Sequence, residues 1–268
     1  MESLAVMTAA SLAALATASA GPPGPGGPIT GTWVADLDSQ QGLPTDVYLV
    51  RDGNYSCESC TPRRRYPADG RLRPVAGSPG VSEATTILDS RTLSTRIVQP
   101  DLDRTTRMRV ARDGRTATYV SVDRRRGIEG TLRTEYLARR AAPAPAGAHA
   151  VSGSWQGVRY VSVPIQLRTT VLADGIDRLS YRTGTGYSYS APYGGGFVPI
   201  QGPYEGGLSV SVRRDGANRV VETRRQGGSD VQRRTYTLSS DGLRLEIATT
   251  NLATGATFRV TARSRGQR

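Results

Sequence analysis

Two segments written to one template constrain this chain more than any other feature. Pro67-Ala68-Asp69-Gly70-Arg71-Leu72-Arg73-Pro74-Val75-Ala76-Gly77 and Pro192-Tyr193-Gly194-Gly195-Gly196-Phe197-Val198-Pro199-Ile200-Gln201-Gly202 both read P-x-x-G-x-x-x-P-[V/I]-x-G. Further landmarks keep one order around each. The only two tryptophans lie in Gly31-Thr32-Trp33 and Gly153-Ser154-Trp155, and nineteen residues after each comes an Asp-Gly turn signal, Asp52-Gly53 and Asp174-Gly175. A second Asp-Gly falls late in each half, at Asp113-Gly114 and Asp241-Gly242. A period this long predicts two tandem domains rather than a solenoid.

The boundaries follow from composition. Residues 1–20 form an uncharged Ala/Leu-rich run after Glu2, ending Ala18-Ser19-Ala20. That ending is an A-x-A cleavage pattern, so the run reads as a secretory signal peptide, and a periplasmic or extracellular location is expected. Residues 21–28, Gly/Pro-rich, read as a tether. Residues 29–140 are the expected first β-domain, the Pro/Ala-rich residues 141–150 an extended linker, and residues 151–268 the second domain. After processing, no membrane-spanning segment is expected.

Within each domain the apolar period is two. Asp46–Arg51 and Asn54–Cys57 flank an Asp-Gly turn, which is a hairpin signal. Thr105–Val110 and Thr116–Val122 flank another, and Thr131–Ala138 reads as a closing strand. The second half repeats the plan through Leu208–Arg213, Leu243–Ile247 and Ala256–Ala262. Alternation with one wet face predicts an all-β fold of antiparallel sheet, about seven to nine strands per domain. An up-and-down barrel removes sheet edges by closure, and a β-sandwich is the alternative.

The G-x-W motifs opening a β-meander resemble the lipocalin/calycin barrel, and the template segment with its late Asp-Gly hairpin is similar to secreted bacterial lipocalin-like proteins. The resemblance covers each domain nearly end to end and implies a binding module. It also implies that Trp33 and Trp155 each close one barrel end beneath an arginine near the last strand. Trp33 would then stack with Arg139 or Arg140, and Trp155 with Arg263 or Arg265, as cation–π contacts of about 0.5–2 kcal/mol.

Composition matters most for what it excludes. All thirty-five basic residues are arginine, which rules out a Walker A loop, a Schiff base and pyridoxal phosphate attachment. The single histidine, His149, lies in the expected linker, away from any Ser-His-Asp or Cys-His pair and any histidine-rich zinc site. No G-x-G-x-x-G opens a helix, so dinucleotide binding is unsupported. No catalysis, cofactor or metal is expected. Glu222, Asp230 and Glu246 are polar-face carboxylates without an evident pair. The formal net charge of +12 would attract acidic envelope polymers or lipopolysaccharide. No specific nucleic acid is expected, for want of a recognised motif or an aromatic–basic ladder.

Three features remain as candidates. Cys57-Glu58-Ser59-Cys60 reads as a loop disulfide in an oxidising compartment, with a redox couple as the alternative. Arg63-Arg64-Arg65, and likewise Arg124-Arg125-Arg126, either grip anions or form solvated loop faces. Tyr181, Tyr187, Tyr189, Tyr193, Phe197 and Tyr204, set among glycines, either stack on a small apolar, aromatic or glycan ligand or plug the barrel. On this reading the first domain carries a cationic mouth and the second an aromatic one.

Overall fold

The structure is a computed structural model describing residues 28–60, 62–202 and 207–265. The expected signal peptide, all but the last residue of the tether, and Tyr204 lie outside the described residues. The fold is all-β, with 61% of the chain in strands and 3% in helix, so strands build most of the core. Each of two compact units holds one ten-stranded antiparallel sheet, one nearly closed into a barrel and the other a half-barrel.

The first unit is Leu43–Pro164. Its strands are β2 (Thr45–Arg51), β3 (Asn54–Cys57), β4 (Arg64–Pro67), β5 (Arg73–Pro74), β6 (Ser82–Asp89), β7 (Thr92–Gln99), β8 (Leu102–Val110), β9 (Thr116–Arg125), β10 (Leu132–Ala142) and β11 (Gly153–Ser162). They are ordered β4-β3-β2-β11-β10-β9-β8-β7-β6-β5. The second unit joins β1 (Gly31–Ala35) to the chain from Ile165 onward. It adds the short helix α1 (Ile165–Arg168), then β12 (Thr169–Asp174), β13 (Arg178–Thr183), β14 (Ser188–Pro192), β15 (Val198–Pro199), β16 (Leu208–Arg214), β17 (Arg219–Gln226), β18 (Ser229–Leu238), β19 (Arg244–Asn251) and β20 (Thr257–Ser264). Its order is β14-β13-β12-β1-β20-β19-β18-β17-β16-β15.

The two orders are the same pattern with one exchange. The tryptophan strand comes first in the chain for the second unit and last for the first. Trp33 pairs with Thr170 of β12 and Ser264 of β20, while Trp155 pairs with Asp46 of β2 and Arg140 of β10. The expected division at residues 141–150 is therefore corrected. Ala141 and Ala142 end β10, and the residues after them form the β10–β11 connection inside the first unit. That connection is tied down, with His149 N–H donating to Val50 O at 2.9 Å and Ser152 N–H to His149 O at 2.8 Å.

The expected tryptophan stacks are corrected by the same exchange. The Arg140 guanidinium lies over the Trp155 ring at 4.1 Å, not over Trp33. It is held there by donating to the carbonyls of Gly114, Ala150 and Ser152 at 2.6–2.7 Å. Arg265 reaches the Trp33 strand through its backbone N–H, 2.7 Å from Thr32 O. The two indoles are otherwise alike. Each is buried and donates Nε1–H to the carbonyl four residues earlier, Ile29 at 2.9 Å and Val151 at 2.8 Å. The glycine of G-x-W is required because Gly153 has φ +110° and a Cβ there would meet Ala142 O at 2.8 Å.

The template segments span the seam of each sheet. They run from one edge strand, β4 or β14, to the other edge strand, β5 or β15. The first proline ends a strand and the second sits exposed on a two-residue edge strand, where its missing N–H costs no ladder bond. Between them Gly70 N–H donates to Thr85 O at 2.8 Å and Gly194 N–H to Val212 O at 2.9 Å. The template's V/I position, Val75 or Ile200, is buried beneath.

The exchange makes a direct prediction about fragments. Residues 43–164 alone are expected to unfold cooperatively in urea with blue-shifted Trp155 emission. Residues 29–140, which lack β11, are expected to show no cooperative transition. Equal transitions from both fragments would contradict the exchanged pairing.

Candidate functional site

Alternation along β17 and β18 decides what faces the second unit's interior. Val220, Glu222 and Arg224 share one face of β17, and Arg234 and Tyr236 share the matching face of β18, with Glu222 directly opposite Arg234. Glu222 is fully buried. Its Oε2 accepts from Tyr189 Oη at 3.0 Å and Tyr236 Oη at 2.8 Å, and its Oε1 accepts from Arg224 Nε. Arg234 donates to Tyr181 Oη at 3.1 Å and Thr249 Oγ1 at 3.3 Å. Tyr181 and Tyr189 stack with centroids 5.0 Å apart, and both guanidinia lie within 6 Å of the Tyr181 ring centre. Burial alone would raise the Glu222 carboxyl, but the Arg224 and Arg234 guanidinia overcome it and hold the group below its ordinary value.

Of the six aromatics expected to form one site, the structure brings two together in this cluster, Tyr181 and Tyr189. Tyr193 lies at the Trp33 end. Its hydroxyl donates to Asp174 Oδ1 at 2.6 Å, and Arg214 stacks over its ring at 4.3 Å while also pairing with Asp174. Phe197 sits under the Arg225 guanidinium at 3.8 Å. Arg225 alternates with Glu222 and Arg224 and so faces away from the interior. Tyr187 packs against Gly202, where a Cβ would approach the ring to 2.3 Å. Sequence reasoning assigned no role to Glu222 and passed over Arg224, Arg234 and Tyr236. Their shared parity with Val220 and Leu238 was the available signal.

The first unit's interior is equally rich in tyrosine but differently charged. Tyr48, Tyr55, Tyr66, Tyr119 and Tyr136 pack with Trp155 in its core. Asp46 is 6% exposed and accepts from Tyr136 Oη at 3.0 Å. Burial raises its carboxyl from the ordinary 3.8 to about 6, against lowering hydrogen bonds from Tyr136 and Tyr48. Buried Glu83 is paired with Arg64, and burial again pushes the carboxyl up. The contrast expected between the units concerned their mouths, and their interiors do not follow it. Both interiors are aromatic, and it is the second that holds an excess of guanidinium over carboxylate.

The arginine runs divide by strand parity. Arg64 turns inward to Glu83, while Arg63 stays on the surface beside Glu58 and Arg65 is exposed. Arg125 is likewise buried against Asp123, which Arg104 clamps from the other side at 2.6 and 2.7 Å. Arg124, Arg125 and Arg126 border an open cleft of about 240 Å³ with Asp101 and Asp103, so its positive charge is largely offset. Cys57 and Cys60 form the expected disulfide, with Cα atoms 5.3 Å apart. His149 Nε2 lies 2.6 Å from Asp89 O. Among the described residues no group of three or more His, Cys, Asp or Glu gathers to hold a metal, and no helix is long and apolar enough to cross a membrane.

Asp46 carries a pH prediction whose sign is fixed. Below about pH 4 the carboxyl is protonated in both folded and unfolded chains, and it costs nothing. Between about 4 and 6 the unfolded chain releases the proton and the folded one keeps it, so stability falls as pH rises. Above 6 the full cost, about 3 kcal/mol, is present. Asp46→Asn is therefore expected to match the parent near pH 4 and exceed it by roughly 2–3 kcal/mol at pH 7–8 in urea denaturation. A difference independent of pH would contradict this. Compared with known proteins, the chain matches no family model, no curated protein and no solved structure.

Proposed function

We propose that the chain is a periplasmic or extracellular binding protein built from two lipocalin-like modules, with no catalytic role. The second unit takes a small, flat ligand at the end of its sheet away from Trp33. The single observation carrying this reading is the stacked Tyr181–Tyr189 pair set beside two guanidinia in an interior plugged at its other end by an indole. Both rings are buried, and beside them apolar area, hydrogen bonds and charge lie within one small volume, as in ligand sites. The side chains at that end, Tyr187, Arg224, Arg234, Thr249 and Phe258, are half-buried rather than sealed.

Polarity along the strands supports the same placement. From the Trp33 end the inward residues of β17 and β18 run Val220 and Tyr236, then Glu222 and Arg234, then Arg224 and Gln232. The interior therefore changes from apolar to cationic toward the hairpins at 184–187 and 227–228. A molecule entering by those hairpins meets charge first and rings next.

Native mass spectrometry of protein purified from its own cells tests the proposal. A co-purifying adduct of a few hundred daltons, lost in Tyr181→Ala, is the expected result. Bare protein throughout, together with no binding in a screen of aromatic and glycan ligands, would refute it.

A further inference from the structure

The second unit's interior contains a charge imbalance that its own residues do not resolve. Its buried carboxylates among the described residues are Asp174 and Glu222. Asp174 is matched to Arg214 at the Trp33 end. Glu222 alone faces both Arg224 and Arg234. It satisfies one edge of Arg224 through Nε, whereas Arg234 donates to two neutral hydroxyls. Nη2 of Arg224 is buried and donates to no protein group among the described residues. A buried guanidinium nitrogen without an acceptor costs on the order of 1–3 kcal/mol. Arg64 Nε and Arg125 Nε and Nη1 share that state in the first unit, but only Arg224 has it beside a second guanidinium and a stacked tyrosine pair.

The first unit provides an internal comparison. There the inward arginines Arg64, Arg104 and Arg125 meet the buried carboxylates Glu83 and Asp123, and Asp46 adds a third carboxylate. The sheets share one strand order and both interiors are ringed by tyrosine. An excess of positive charge is thus not a requirement of the fold. It belongs to the second unit.

We infer that Arg224 and Arg234 form the binding site for the oxyanion of a flat organic acid, a carboxylate or sulfonate whose apolar body lies toward Tyr181 and Tyr187. This rests on the binding function proposed above and names its ligand class. A planar oxyanion matches the fork of a guanidinium, and in a half-buried site the pairing is strengthened by exclusion of water. Glu222 then offsets one of the two guanidinium charges. It fixes the Nε edge of Arg224 and leaves Nη2 for the ligand.

The test uses the full chain and two fluorescent probes of nearly the same shape, anilinonaphthalene sulfonate and its neutral parent phenylnaphthylamine. The sulfonate is expected to bind one equivalent, roughly tenfold or more tighter than the neutral probe, with little loss at high salt. Arg224→Met is expected to remove that preference, so that the sulfonate binds this variant no tighter than the neutral probe does. Arg64→Met, in the other unit, is expected to leave it intact. Glu222→Gln should move affinity the other way, because it keeps an oxygen for the tyrosines and removes a competing negative charge. That variant gives a gain that misfolding cannot imitate. Equal binding of both probes, unaltered by Arg224→Met, would overturn the oxyanion assignment and leave the binding function standing. Sulfonate binding that disappears at high salt would also overturn it, since surface attraction to a basic chain would explain it. Failure of both probes to bind would overturn both.

Discussion

The whole architecture depends on where two short strands pair. Each sheet needs a tryptophan strand at its centre, between the strand that leaves toward one edge and the strand that returns from the other. That strand supplies two ladders of hydrogen bonds and an indole for the floor. Gly-x-Trp fits because the glycine adopts a backbone conformation closed to other residues, and the indole N–H finds a carbonyl four residues back. Removing either strand would split a ten-stranded sheet into pieces of three and six strands and expose the core to water.

Much of this was legible from the residues. Period-two alternation located β2, β3, β8, β9, β16, β19 and β20 to within a few residues, because half-buried antiparallel strands record their burial in the sequence. The template prolines and glycines marked the seams, where special backbone geometry is required. Partner choice was illegible. Gly31-Thr32-Trp33 and Gly153-Ser154-Trp155 present nearly the same inward face, so nothing local says which sheet each completes. The count of strands was low by one or more because β5 and β15 are only two residues long. Two-residue strands have no period.

The candidate site was half legible for a related reason. Tyr181 and Tyr189 were identifiable as aromatics near glycines, but the same rule gathered Tyr193 and Phe197, which serve different contacts. Strand parity separates them, as it separates inward Arg64 from Arg63 and Arg65. Composition hid the charged interior. In a chain whose thirty-five basic residues are all arginine, Arg224 and Arg234 do not stand out until Glu222 is seen between them. Buried ion clusters of this kind stabilise weakly compared with apolar packing, yet removing one member costs about 3–5 kcal/mol. They are better understood as fixing geometry than as holding the fold together.

The exchanged strands also set an order in time. A chain emerging from its N-terminus offers Gly31–Ala35 first, although their partners in β12 and β20 lie more than a hundred residues further on. The first unit has every strand it needs once Ser162 has emerged, and nearly all its pairings join neighbours along the chain. It can close while the rest is still being made. The other unit has to keep an uncovered indole waiting until the last strand arrives, and distant pairings of this sort form slowly. For that interval the chain carries one finished body and one loose edge, which is the moment when a chaperone has most to protect.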